Sequence, residues 1–224
     1  MHQERLNDVT AIKPEKKSAV GVNTIDILGM DYEALRDWMG TIGERSFRAD
    51  QVFQWLHLKR VLNFDEMTNL SKSLRDKMAL NAVISAPQIE SVQQSNDGTR
   101  KYQLRTFDNY MIEAVFIPNA SSEGRNTLCI SSQVGCTLTC SFCHTGTQRM
   151  VRNLTAGEIV GQMMVARDTY QEWPSPTDGR MLSNIVVMGM GEPLYNFDEV
   201  STALKIIMDP EGLALSKRRI TLST

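Results

Sequence analysis

The chain has 224 residues, 42% of them hydrophobic, with 24 lysines and arginines against 26 aspartates and glutamates and a formal net charge of -2. That composition supports packed cores and excludes a disordered or fibrous chain, while the near-neutral balance excludes a global field for attracting phosphates and leaves only local basic clusters. The longest apolar stretches, such as Asn184 to Met190, are strand-length, and the polar start through Lys13, Lys16 and Lys17 lacks a signal core, so a cytoplasmic protein without a membrane is expected.

Residues 1–24 show no sustained periodicity and are expected to be a flexible arm. Residues 25–86 then read as a small helical, RNA-binding-like domain. Asp31 is placed to cap a helix carrying Leu35, Trp38 and Met39, a second helix presents Ala49, Val52, Phe53 and Leu56, and a third carries Leu70, Leu74 and Met78. Arg45, Arg48, Lys59 and Arg60 surround the second helix as candidate phosphate contacts, although short charge runs are more often solvated faces.

Residues 87–120 read as a β-hairpin connector, with strands at Thr99 to Thr106 and Tyr110 to Ile117 separated by Phe107, Asp108 and Asn109. After a polar loop around residues 119–126, residues 121–224 alternate strand and helix. The expected elements are a strand at Leu128 to Ser132, a helix opened by the capping box Thr155 and Glu158, a buried strand at Asn184 to Met190, a helix capped by Asn196, and a strand at Arg219 to Ser223. This order predicts an α/β fold with parallel strands. Two and a half strand-helix units cannot close a barrel, so a partial (β/α) barrel and a truncated chain are expected.

Three of the four cysteines, Cys136, Cys140 and Cys143, crowd into one loop with the spacing C-x3-C-x2-C. In a cytosolic chain such thiols stay reduced, and metal binding is the better reading than disulfides. Three thiolates can hold three irons of a four-iron cluster and leave the fourth open to a chelating cofactor, for which S-adenosylmethionine offers an amine and a carboxylate. The rival is a zinc site completed by His144, which fits less well because His144 adjoins Cys143. Downstream, Gly191, Glu192 and Pro193 follow the buried strand on its carboxyl-end side, where parallel sheets bind ligands; the plainer reading is a strand-ending turn.

The run Cys136-Thr-Leu-Thr-Cys140-Ser-Phe-Cys143-His-Thr-Gly, with Gly191-Glu192-Pro193, Arg218-Arg219-Ile-Thr-Leu-Ser223-Thr and Phe47-Arg48-Ala49-Asp50-Gln51-Val52, resembles the RlmN/Cfr-type radical S-adenosylmethionine RNA methyltransferases. The likeness runs from the N-terminal helices to the last residue. It implies methylation of an adenine carbon, C2 in one branch and C8 in its sister, in large-subunit rRNA and some tRNA. It further implies a radical SAM barrel, a [4Fe-4S] cluster on Cys136, Cys140 and Cys143, and S-adenosylmethionine contacts from Gly191, Glu192 and Ser223. An electron donor such as flavodoxin, a monomeric enzyme and a disulfide bond belong to the same picture.

Glu113, on a strand face with Met111, Val115 and Ile117, matches the family's proton acceptor, and Cys129 its resolving thiol; unaided, the first would read as a sheet-edge charge and the second as a small buried hydrophobe. The methyl-carrying cysteine of the family lies far downstream, so the chain alone is expected to be inactive. A zinc- or RNA-binding module without enzymatic activity is the alternative outside this chemistry.

Overall fold

The computed structural model describes residues 24–119, 125–176 and 179–224. The expected arm, residues 1–24, falls outside these apart from Thr24, as does most of the polar loop before residue 125. A two-residue strand β1 (Ile25–Asp26) and a tight turn lead into helix α1 (Tyr32–Thr41), whose Asp31 side chain accepts from the Ala34 N–H. Helix α2 (Arg48–Phe53) runs on into a wider π-helical turn at Gln54–Leu58, which buries both Leu56 and His57. Helix α3 (Lys72–Asn81), capped by Ser71, buries Leu74 and Met78 before β2 (Ala82–Val83) pairs parallel with β1. The apolar positions at helical spacing thus all face one interior, as the sequence pattern predicts.

The remaining strands are β3 (Gln88–Gln94), β4 (Arg100–Arg105), β5 (Met111–Ile117), β6 (Asn126–Ile130), the short pair β7 (Gln133–Val134) and β8 (Arg152–Asn153), β9 (Leu182–Val187) and β10 (Ile220–Leu222). One six-stranded sheet has the order β10-β9-β6-β5-β4-β3. Its β6, β9 and β10 are parallel, while β5, β4 and β3 continue it antiparallel. The hairpin strands therefore lie in the same sheet as the strand-helix repeat.

β3 is an element that the sequence reading did not contain. All seven of its residues are exposed, so its pattern carries no buried apolar face, and it is held to β4 by main-chain pairing, the Glu90–Arg105 ion pair and the Ser91–Gln103 hydrogen bond. The first strand of the repeat spans Asn126–Ile130, two residues earlier than expected.

Helix α4 (Ala156–Thr169) connects β8 to β9, and α5 (Phe197–Met208) connects β9 to β10. The Thr155–Glu158 capping box forms in both directions. α4 is buried continuously from Ala156 to Arg167, packed between the sheet, α5 and the turn after β1. One apolar core runs from the N-terminal helices into this layer, through residues such as Leu35, Phe53, Ile159, Met163 and Ile185. No helix among the described residues is long and apolar enough to cross a membrane.

Candidate active site at the carboxyl ends of the parallel strands

The register Ile130↔Val187 and Leu222↔Val187 aligns the carboxyl ends of β6, β9 and β10. Three loops leave the sheet there: the cysteine loop after β6, the Gly191–Glu192–Pro193 loop after β9, and Ser223 after β10. Ligands bind at this end of parallel α/β sheets because the loops are free to vary over a fixed scaffold.

The cysteine loop is pinched at its base by the β7·β8 pair and by a bridge between Cys136 and Arg149. Inside it the backbone turns on itself, with the Cys143 N–H donating to the Cys140 carbonyl and the Gly146 N–H to the Cys143 carbonyl, each at 3.1 Å. Two sulfurs already receive backbone donors. The Leu138 N–H points at Cys136 Sγ at 3.4 Å, and the Gly146 and Thr145 amides hold the Cys143 thiol below its ordinary range, Gly146 most strongly. Such N–H donors favour the thiolate, the form that binds iron.

No three His, Cys, Asp or Glu side chains among the described residues converge as ligands of a single ion. A four-iron cube asks for something different, one thiolate on each of three irons, so its ligands stand apart. Three partly exposed thiols on one loop with amide donors fit that group, and His144 beside them is exposed.

The loop after β9 is stitched to the segment between β6 and the cysteine loop. Gly189 N–H donates to Ile130 O at 2.9 Å, Ser132 N–H to Met190 O at 2.8 Å, and Met190 N–H to Ser131 Oγ at 2.9 Å. A Cβ on Gly189 would stand 2.7 Å from Ser131 Oγ, and one on Gly191, whose φ is +98°, would stand 2.5 Å from Gln133 Cβ. These glycines therefore allow two backbone segments to close against each other. Glu192 is nearly buried; its carboxylate accepts from the Leu194 N–H at 3.2 Å and begins the short turn at Pro193.

Asn196 and Arg152 have roles here that only the fold reveals. Asn196 does not cap α5 with its side chain; its Nδ2 donates instead to Ser132 O and Leu154 O, both at 2.8 Å, tying β6's exit to the entry of α4. Arg152, one of the basic residues near the cluster loop, is occupied by two carboxylates. It donates to Asp108 at 2.8 and 2.6 Å and to Glu158 at 2.8 Å twice. The hairpin tip, the end of the cysteine loop and the α4 capping box are thereby clamped together, and the Arg152 guanidinium holds the Asp108 carboxyl below the usual carboxylate range.

Glu113 and Cys129 share the less buried face of the sheet. Ile112, Ala114 and Phe116 form the buried face of β5, so Met111, Glu113, Val115 and Ile117 look the other way. Val115 pairs with Cys129, which pairs with Val186, and Thr221 follows in the same row. The Glu113 side chain is 40% exposed and meets Lys101 Nζ at 2.6 Å. Burial pushes the Cys129 thiol up, against a smaller opposing effect from the Met188 N–H. Ser223 is exposed just beyond β10.

All four cysteines are free, so the disulfide implied by the family resemblance is absent. Cys129 lies within β6 while the other three lie in the loop beyond it. Gln133 and Gln162, to which the sequence pattern assigns no role, are, with Asn196, buried polar residues that join these loops. Gln162 bonds both the N–H and the carbonyl of Ser131, at 2.8 and 2.9 Å.

Residues 25–84 match the family described as the ribosomal RNA large subunit methyltransferase N-terminal domain. Over 89% of its length the chain is 53% identical to a dual-specificity RNA methyltransferase of Zymomonas mobilis, 54% identical to one of Roseobacter denitrificans and 58% identical to one of Dinoroseobacter shibae. It covers 51%, 52% and 52% of those proteins, respectively, so it spans about half the length of the curated relatives it matches. The crystal structure of a radical SAM methyltransferase from Sphaerobacter thermophilus superposes with a TM-score of 0.78 at 36% identity, covering 89% of this chain and 57% of that one. The sheet and its helices thus correspond to part of a radical SAM α/β fold.

Proposed function

We propose that the protein carrying this chain, which resembles the RlmN-type radical S-adenosylmethionine RNA methyltransferases over its N-terminal and first-half portion, methylates C2 of adenine in large-subunit rRNA and in tRNA. The observation that supports this most directly is the three-thiol loop, with amide donors on two sulfurs, at the same sheet end as the Gly191–Glu192 loop and Ser223. In this reading residues 25–86 form the RNA-binding module, 87–120 a connector and 121–224 the first part of the barrel. Cys136, Cys140 and Cys143 hold a [4Fe-4S] cluster, and Gly191, Glu192 and Ser223 hold S-adenosylmethionine.

When bound, the cluster and cofactor supply a one-electron route to a carbon radical, with the electron coming from a donor such as flavodoxin. The chain's own residues do the rest. Glu113, on the accessible sheet face, takes the proton from the modified adenine carbon, and Cys129, in the same face, attacks the sulfur of the methyl-carrying cysteine, which is not among the four here, so that an S–S bond forms as the S–CH2 bond to the product breaks and its electron pair passes to the product. Burial raises the Cys129 thiol above its ordinary range, which favours its protonated form. The target base has to leave its stack to reach this face. Exposed Arg45, and Lys59 lying over the Trp55 ring at 3.9 Å, are the module's proposed phosphate contacts, whereas Arg60 is paired with Asp168 at 2.7 Å. We place the enzyme in the cytoplasm as a monomer.

Anaerobic reconstitution of the gene product tests the assignment. A brown protein with about four irons, whose spectrum changes on adding S-adenosylmethionine, is expected; a colourless protein holding a single zinc would leave a binding module instead. Mapping the methylated carbon on rRNA and tRNA separates C2 from C8.

A further inference from the structure

We infer that Gln133 is a positioning residue which fixes the cysteine loop and the Gly191–Glu192 loop at one separation, so that the two loops proposed to hold the cluster and S-adenosylmethionine are tied through a single buried amide. Gln133 is fully buried in β7, at the base of the cysteine loop. Its Oε1 accepts from the Thr137 N–H at 3.2 Å and from the Glu192 N–H at 3.1 Å. Its Nε2 donates to Asn153 Oδ1 at 2.8 Å and to Thr137 Oγ1 at 2.9 Å. Thr137 lies between the first two cysteines, and Glu192 lies 59 residues further along the chain from Gln133.

The orientation of this amide follows from its partners. Backbone N–H groups only donate, so the atom facing Thr137 and Glu192 has to be the oxygen, and the nitrogen then faces Asn153. Every polar atom of the side chain is engaged, which a residue serving only to fill space would not require. Gly191 completes the arrangement, since any Cβ there would meet Gln133 Cβ, Cγ and N within 2.8 Å. The chain has taken a positive-φ glycine to let the loop after β9 reach this amide.

A cofactor that chelates metal on one loop and is gripped by the other depends on their spacing, and a displacement of about 1 Å is costly in such sites. The inference rests on the functional reading above, but its first test does not. In Gln133→Met, which keeps the volume and removes both polar atoms, amide hydrogen exchange of the metal-free chain is expected to accelerate at least tenfold at Thr137 and Glu192 together. Acceleration at only one of them, or at neither, overturns the coupling.

The second test uses the reconstituted gene product. Gln133→Met is expected to keep about four irons while needing at least tenfold more S-adenosylmethionine to change the cluster's electron paramagnetic resonance signal, with the KM for RNA unchanged. An unaltered cofactor requirement overturns the positioning role. Should Gln133→Met not fold, Thr137→Val, which removes only the hydroxyl partner, decides by the same two readouts, with a smaller shift of about threefold expected. A wild-type protein that builds no four-iron centre sinks the methyltransferase assignment, whereas the exchange result still judges the coupling.

Discussion

The N-terminal helices and the loops at the carboxyl ends of the sheet are held together by opposite means. In the helices, Leu35, Trp38, Met39, Val52, Phe53 and Leu56 pack into an apolar interior, and the wholly buried His57 ring finds no hydrogen-bond partner for either nitrogen among the described residues. Around the loops, Ser131, Gln133 and Asn196, with Glu158 and Gln162 on α4, are buried, and each is bonded to backbone or to a charged partner. Apolar packing is non-directional and tolerates small shifts, whereas directed hydrogen bonds in a dry setting fix relative positions. The module therefore supplies stability and a surface, and the loops supply geometry.

The largest effect expected from this contrast is on the apolar side. Phe53 is almost wholly buried, with its ring 4.5 Å from His57 and edge-on to Tyr32 at 6.2 Å, so Phe53→Ala should lower the unfolding free energy by about 4 kcal/mol. Urea titration measures this. The comparison fails if the same variant also loosens the Thr137 and Glu192 amides beyond its global effect.

Next is Arg152→Met, which strips four charge-assisted bonds and leaves the Glu158 carboxylate, 1% exposed, without its cation. A loss of about 3 kcal/mol is expected. Unlike Phe53→Ala it should also alter the cluster loop, read as a changed iron signal after reconstitution.

His57 gives a prediction of pH dependence. Burial lowers its pKa from 6.5 to about 3. The folded state thus holds His57 neutral where the unfolded chain would protonate it, so the stability contribution is complete above pH 6.5 and is lost as pH falls from there towards 3. The slope is about 1.4 kcal/mol per pH unit. His57→Leu should remove that slope and be neutral or stabilising at pH 7, because two orphaned nitrogens disappear with it. Thermal unfolding between pH 7 and 4.5 decides; an unchanged slope in the variant would show that other groups carry it.

The smallest effect belongs to the cap. Thr155→Ala breaks half of the box at α4 and should cost about 1 kcal/mol in denaturant unfolding, with cofactor response untouched.

Local signals were readable without coordinates. The Asp31 cap, the helical spacing of Leu35, Trp38 and Met39, the Thr155–Glu158 box and the crowding of Cys136, Cys140 and Cys143 all act within a few residues, where backbone geometry converts spacing directly into shape. The polar strand β3 escaped because nothing in its side chains marks a face; it exists through pairing with β4. Asn196 looked like a cap because caps favour asparagine, yet its amide is engaged by carbonyls 42 and 64 residues away.

Sequence by itself determined the main helices, the strands with an apolar pattern, the cysteine spacing and the family likeness. Tertiary structure alone decided that Gln133 spans two loops, that Arg152 is bound by Asp108 and Glu158, and that Glu113 and Cys129 share one open face. The reason is distance along the chain: a hydrogen bond between residues dozens of positions apart leaves no periodic trace, and only the folded sheet brings its donor and acceptor within reach.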